Sequence, residues 1–140
     1  MKGKVIAYWV VTGLFSLGFG GGAVMDLMNT PDAQEIMKHL GYPDYVARML
    51  GVFKVVGLAV LLAPGLARAK EWAYAGMAID LLGASASHAS VGDGIAQIAP
   101  PILFLAVAAA SWALRPPSRV MGQLFSGQAA QPAASSALTT

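Results

Sequence analysis

A chain of 140 residues with 56% hydrophobic and 11% charged residues departs from a soluble domain, in which roughly a quarter of the residues are charged. The net charge of +2 comes largely from loop residues, so it carries no indication of a nucleic-acid partner. The absence of cysteine excludes disulfide relays, thiolate nucleophiles and cysteine-ligated iron-sulfur clusters in this chain.

Residues 5–25 and 94–114 are each free of charge, and each is close to the ~20 residues that span a hydrocarbon core. Between them, residues 49–67 carry only Lys54 and residues 72–87 only Asp80. The expected fold is therefore all-α: an integral membrane four-helix bundle of antiparallel up-down topology. Its helices are expected at about 5–28, 44–63, 70–89 and 100–114, with a surface helix at about 31–40. Residues 1–117 form the transmembrane domain and residues 118–140 a low-complexity cytoplasmic tail, whose segment 128–140 has no charge and no periodicity.

The first apolar stretch is longer than the roughly 7–15 residues of a signal-peptide core, and no clear small-x-small site closes it. It is expected to remain as a membrane helix. Gly18 and Gly22 form a GxxxG spacing, which lets a second helix approach closely. No strand precedes these glycines, so they do not read as a nucleotide-binding loop. Asp26 falls near the outer end of this helix.

The outer loop carries its own helix signals. Thr30 suits the cap, Pro31 the first position, Asp32 and Glu35 the positive end, and Lys38 and His39 the negative end before Gly41. Ala33, Ile36, Met37 and Leu40 make one apolar stripe that would lie on the bilayer surface or over the outer mouth of the bundle.

The second membrane helix begins at Asp44, which can pair with Arg48 four residues on, and ends at Pro64-Gly65. Lys54 lies thirteen residues before Ala67 and Asp80 thirteen after it. At about 1.5 Å per residue both sit roughly 20 Å from the turn, within reach of each other. Two unpaired charges at that depth would oppose insertion by roughly 5–7 kcal/mol, which facing each other reduces. Gly51 and Gly57 flank Lys54 and leave room for a partner or ligand. Along the third helix, Asp80, Ala84, Ser87 and His88 share a face, a polar stripe opening outward. Ser85 lies off that face, where it can bond its own backbone.

Lys2, Lys4, Arg68, Lys70, Arg115 and Arg119 all fall on one side of such a bundle. The positive-inside rule makes that side, and both termini, cytoplasmic.

With these positions in place, the sequence resembles the DoxX-like family of small bacterial four-helix membrane proteins. The likeness rests on Leu40-Gly41-Tyr42-Pro43, on Leu50-Gly51 followed by Lys54 and Gly57, and on Lys70-Glu71-Trp72-Ala73-Tyr74-Ala75-Gly76. It continues through Asp80, Gly83-Ala84, Ser87-His88, Gly92-Asp93 and Pro101. The resemblance implies a protein of the bacterial cytoplasmic membrane. Some relatives are associated with quinone-linked oxidation of sulfur compounds or with membrane oxidoreductase assemblies. The family has no agreed catalytic constellation to carry over.

Three functional expectations follow. Buried charges facing a bundle interior mark a substrate, proton or cofactor path, so Lys54 and Asp80 could hold a quinone oxygen, Lys54 donating and Asp80 exchanging the proton. A purely structural ion pair is the competing reading. His88, with Asp26 and Arg48, would form an outer polar group able to take up protons from an oxidised quinol, with an ordinary polar helix end as the competing reading; Asp26, Arg48 and Ser87 are the candidate substrate-binding residues. Two histidines, His39 and His88, at unrelated spacing are not a zinc or haem signature, and no metal or haem is expected. The leading reading is a membrane redox component that takes a lipid-soluble, quinone-like molecule and works with a soluble or membrane partner. A solute carrier or a scaffold for assembly of another protein stays open beside it, and so does whether the chain is itself an enzyme.

Overall fold

The computed structural model describes residues 2–120. The charge-free segment 128–140 lies outside the described residues. Those described form five α-helices and one 3-10 turn, with no strand among them: α1 (Lys2–Leu27), α2 (Pro31–Leu40), α3 (Tyr45–Leu62), α4 (Ala67–Ser90), α5 (Ile95–Leu114) and the turn Pro117–Arg119. By length and composition α1, α3 and α5 can each cross a membrane. α4 has 24 residues, about 36 Å of helix, but carries more charge. The four long helices pack in a ring, α1 on α3, α3 on α4, α4 on α5 and α5 on α1, and α2 lies against α1 and α3.

Local sequence accounts for the breaks. Asn29 adopts a left-handed conformation (φ 48°), and the Thr30 N–H returns to the Met25 carbonyl at 3.1 Å, which closes α1. Thr30 then caps α2 by accepting from the Ala33 N–H at 3.3 Å. α2 ends at Gly41 (φ 79°), a backbone conformation that glycine takes without strain. Pro64 and Gly65 stop α3, and α4 resumes at Ala67, three residues earlier than expected.

α5 also starts early, at Ile95, with Pro100 and Pro101 inside it instead of opening it. Gly94 supplies the extended cap residue. The two prolines lie in the second turn, where they withdraw the donors that would have reached the Ala96 and Gln97 carbonyls and crowd those carbonyls with their rings.

The core is small and lies at the ring's centre: Phe15 and Phe19 of α1, Leu61 of α3, Tyr74, Met77 and Leu81 of α4, and Ala108 of α5. Large apolar side chains point outward all round it, among them Leu17, Phe53, Ile79 and Leu103, each more than 60% exposed. Water makes such a surface unfavourable; a hydrocarbon solvent does not.

Helix contacts depend on glycine, though not on the expected GxxxG pair. A Cβ at Gly51 would stand 2.7 Å from the Leu27 nitrogen and 3.0 Å from the Ala23 oxygen, so α1 and α3 meet backbone to backbone there. At Gly18 it would meet the Phe104 ring of α5 at 2.5 Å, whereas Gly22 has nothing within 4 Å. The GxxxG spacing therefore spans two environments, because only one of its two positions faces a neighbour.

A buried hydroxyl chain joins three helices. Ser111 of α5 bonds Thr12 of α1 and Tyr74 of α4, each at 2.7 Å. Thr12 and Ser111 are fully buried. Ser111→Ala leaves both partners with one bond fewer in a dry interior. We expect it to lower stability by about 1–3 kcal/mol, read as a fall in unfolding temperature in detergent. An unchanged melting curve would mean that the chain contributes nothing.

Candidate functional site

Two polar groups stand apart from the core, one in the middle of the ring and one at the α2 end. Three of the basic residues that bear on orientation, Lys70, Arg115 and Arg119, form a third set that is structural. Lys70 is fully buried and its ammonium donates to the Val60 carbonyl at 2.7 Å and to the Ala63 carbonyl. It satisfies carbonyls at the end of α3 that no helical N–H can reach. Arg115 donates to Glu71 at 2.7 Å, and Arg119 donates to the Leu61 carbonyl at 3.0 Å. The Arg119 guanidinium also lies 4.6 Å from the centre of the Trp9 ring. These cations tie helix ends together.

The central group has three members instead of two. Lys54 of α3 donates to Asp26 of α1 at 2.7 Å, and Asp80 of α4 lies 3.7 Å from the same nitrogen. All three side chains are less than 20% exposed. Asp26 does not join His88 and Arg48 in an outer group, as its place in the sequence suggests, but lies on Lys54. The reason is the close approach at Gly51, which brings the last turn of α1 onto α3 one turn from Lys54, so the long lysine side chain reaches Asp26 directly. Arg48 is exposed and, among the described residues, has no carboxylate within ion-pair distance.

One cation against two carboxylates leaves the group formally one negative charge in excess, in a setting where an uncompensated charge is unfavourable. Asp26 takes one of the three donors of the ammonium. Asp80, beyond ordinary hydrogen-bond length, is held by charge alone.

Beside this group is a cavity of about 540 Å³ between α3 and α4. Lys54 and Asp80 are in its wall, and the rest is mainly apolar: Phe19, Val56, Gly57, Trp72, Gly76 and Met77 among others. Phe53, Trp72 and Ile79 also line it and are strongly exposed on the outer helix surface, so the cavity opens sideways, toward the surface that faces lipid. The glycines that make room are Gly57 and Gly76; Gly51, expected to do so, is used in the α1–α3 contact.

The second group lies where α2, α4 and the turn 91–94 meet. His88 does not join Asp26. Its Nδ1 is 2.6 Å from Asp93 Oδ2, and His39 Nε2 is 2.7 Å from Asp93 Oδ1. These two imidazole contacts, that of His88 first, hold the Asp93 carboxyl below the usual carboxylate range. Ser87 bonds the Tyr42 hydroxyl at 2.8 Å and donates to the Gly83 carbonyl of its own helix at 2.7 Å. The two serines exchange expected roles, since Ser85 crosses to the Ile98 carbonyl of α5 at 3.0 Å.

Asp93 and Tyr42 were not singled out from sequence as site residues. The signal for Asp93 was local: it follows Gly92, whose left-handed turn (φ 80°) folds the chain back over the last turn of α4, where His88 lies.

The geometry defines a helical membrane protein with a buried three-charge centre beside a lipid-facing cavity. The sequence matches the DoxX-like family over residues 10–111, and the chain belongs to that family. No curated protein and no solved structure matches it significantly.

Proposed function

We propose that this protein binds a quinone-like, lipid-soluble molecule in the cavity between α3 and α4 and serves as the membrane component of a redox assembly. The single observation that carries the reading is the combination in one cavity of an apolar lining with Lys54 and Asp80. A ring with polar oxygens on an apolar body needs both. Lys54 donates to the ligand oxygen and Asp80 passes the proton, while a partner subunit or soluble carrier exchanges the electrons.

In this reading all four long helices cross the bacterial inner membrane, alternating in direction, with both termini in the cytoplasm. α4 crosses because it is packed between α3 and α5, and Lys70, Arg115 and Arg119 mark the cytoplasmic end. A carrier of polar solutes is supported less well. The cavity lining is apolar, and Ser87 and His88 of the outward stripe are engaged by Tyr42 and Asp93.

The test is purification in mild detergent, followed by native mass spectrometry and by absorbance of the extracted lipids. The wild type should carry close to one quinone-like molecule per chain. Gly76 lines the cavity and has open space where a Cβ would stand, so Gly76→Leu should fold normally and lose the molecule. Asp80→Asn should lose it as well. A folded, empty wild type overturns the proposal, and so does undiminished occupancy in Gly76→Leu.

A further inference from the structure

We propose that His39, His88 and Asp93 form a binding site for a divalent first-row transition metal, with Zn²⁺ the best-fitting ion and one coordination position left open to water. The site is independent of the cavity between α3 and α4 and of the ligand proposed there.

Three separate elements deliver the ligands. His39 is in the last turn of α2, His88 in the last turn of α4, and Asp93 in the turn before α5. Each is held by backbone structure that makes no use of the imidazole-carboxylate contacts. Asp93 donates its N–H to the His88 carbonyl at 3.0 Å and Gly92 to the Ala89 carbonyl at 3.1 Å, so the turn sets the carboxylate over His88. At the other side, the N–H of Tyr42 returns to the Met37 carbonyl at 2.8 Å, and the Tyr42 hydroxyl bonds Ser87 at 2.8 Å. The end of α2 is thereby anchored to α4, with His39 one turn from the anchor.

The donor atoms of all three side chains lie within 4.8 Å of one another. Ligands about 2.0–2.1 Å from a tetrahedral ion stand roughly 3.3–3.4 Å apart. The present separations of 2.6 Å for His88 and 2.7 Å for His39 from Asp93 must therefore widen by roughly 0.6–0.8 Å to admit an ion of that geometry. His39, with its side chain 52% exposed, has the freedom to make that movement and leaves an entry path from solvent. An ion pair joining α2 to the turn would need only one imidazole. Facing the Asp93 carboxylate, the two ring nitrogens are N–H donors in the metal-free protein; once those protons leave or shift to the other ring nitrogen, the imidazoles supply two nitrogen lone pairs beside one negative charge, and this donor set suits Zn²⁺ with a fourth, exchangeable water. Closing the site joins α2 to the α4–α5 turn.

The experiment uses the full-length protein without a histidine tag, purified in mild detergent and stripped with a chelator that is then removed. Zn²⁺ is titrated calorimetrically, and Co²⁺ reports coordination through its visible absorption. The expected result is one Zn²⁺ per chain, a tetrahedral Co²⁺ spectrum, and a Zn²⁺-dependent rise in unfolding temperature. His39→Ala and His88→Ala should each weaken binding by at least ~10-fold, the lower end of what loss of a mere supporting contact does at metal sites.

His39→Ala is the decisive variant. Its side chain is half exposed, so the metal-free variant should melt like the metal-free wild type yet show a clearly smaller rise at a Zn²⁺ concentration that saturates the wild type. Absence of stoichiometric binding to the wild type overturns the proposal. Binding of equal strength in His39→Ala does the same, as it places the metal elsewhere.

Discussion

Lys54→Met is expected to destabilise the protein by about 3–5 kcal/mol, as removal of one partner from a buried ion group generally does. The substitution leaves Asp26 and Asp80 facing each other with no cation between them, both less than 20% exposed. The companion variant, Asp26→Leu with Lys54→Met and Asp80→Leu, removes all three charges together. It should recover most or all of that loss, since a buried ion group replaced by apolar side chains of similar size is often neutral or stabilising. Unfolding of both variants in one detergent, by temperature or denaturant, measures the difference. Equal stability of the single and triple variants would show that the three groups are hydrated in the folded protein, which would remove the physical basis of a dry, charge-bearing cavity. The two acidic partners should also differ. Asp26 accepts a hydrogen bond at 2.7 Å while Asp80 stands at 3.7 Å, so Asp26→Asn should cost more stability than Asp80→Asn. That asymmetry suits a division in which Asp26 anchors Lys54 and Asp80 remains free to exchange a proton with a ligand.

Gly51→Ala is expected to cost about 1–3 kcal/mol, the usual range for overpacking, and to act on the site as well as on stability. Its new methyl group would meet the Leu27 nitrogen and Ala23 oxygen, which belong to backbone and cannot rotate away. The helices α1 and α3 must then separate, and separation draws Asp26 away from Lys54. Gly51→Ala should therefore also reduce ligand occupancy although it does not touch the cavity. Gly22→Ala supplies the contrast: no atom lies within 4 Å of its new methyl group, and the gain in helix propensity is worth up to about 1 kcal/mol. If both variants melted alike, the tight α1–α3 crossing would not be a source of stability.

Much of the architecture was legible in the amino-acid order because the membrane imposes a coarse constraint. A run without charge over residues 5–25 or 94–114 has few alternatives to a helix, given that every backbone N–H and C=O must be satisfied internally. Thr30, Pro31 and Gly41 delimit α2 through interactions that need no distant partner, and α2 begins and ends where those residues put it. The pairing of Lys54 with Asp80 was also readable, because a short turn fixes the relative depth of the two helices it joins. The start of α5 was misread for an equally local reason. A proline pair suits a helix start, but Gly94 provides an earlier cap and α5 runs through both prolines at the cost of two backbone bonds.

What only the tertiary structure decided is which side chains meet across elements that are distant in sequence. Asp26 reaches Lys54 because Gly51 admits the backbone of α1, a fact about shape that no spacing between residues 26 and 54 encodes. Lys70 reads as an interfacial charge by position, yet it is buried against the end of α3, since the carbonyls of a helix terminus draw any donor that can reach them. His39 and His88 have no recognisable ligand spacing, and they converge only because α2 folds back to the turn that carries Asp93. Hydropathy and caps thus determine where helices start, stop and lie, while rotation about each helix axis and the approach of neighbouring helices determine the chemistry between them. Those two quantities depend on packing between surfaces, which follows from the whole set of contacts and not from any one segment.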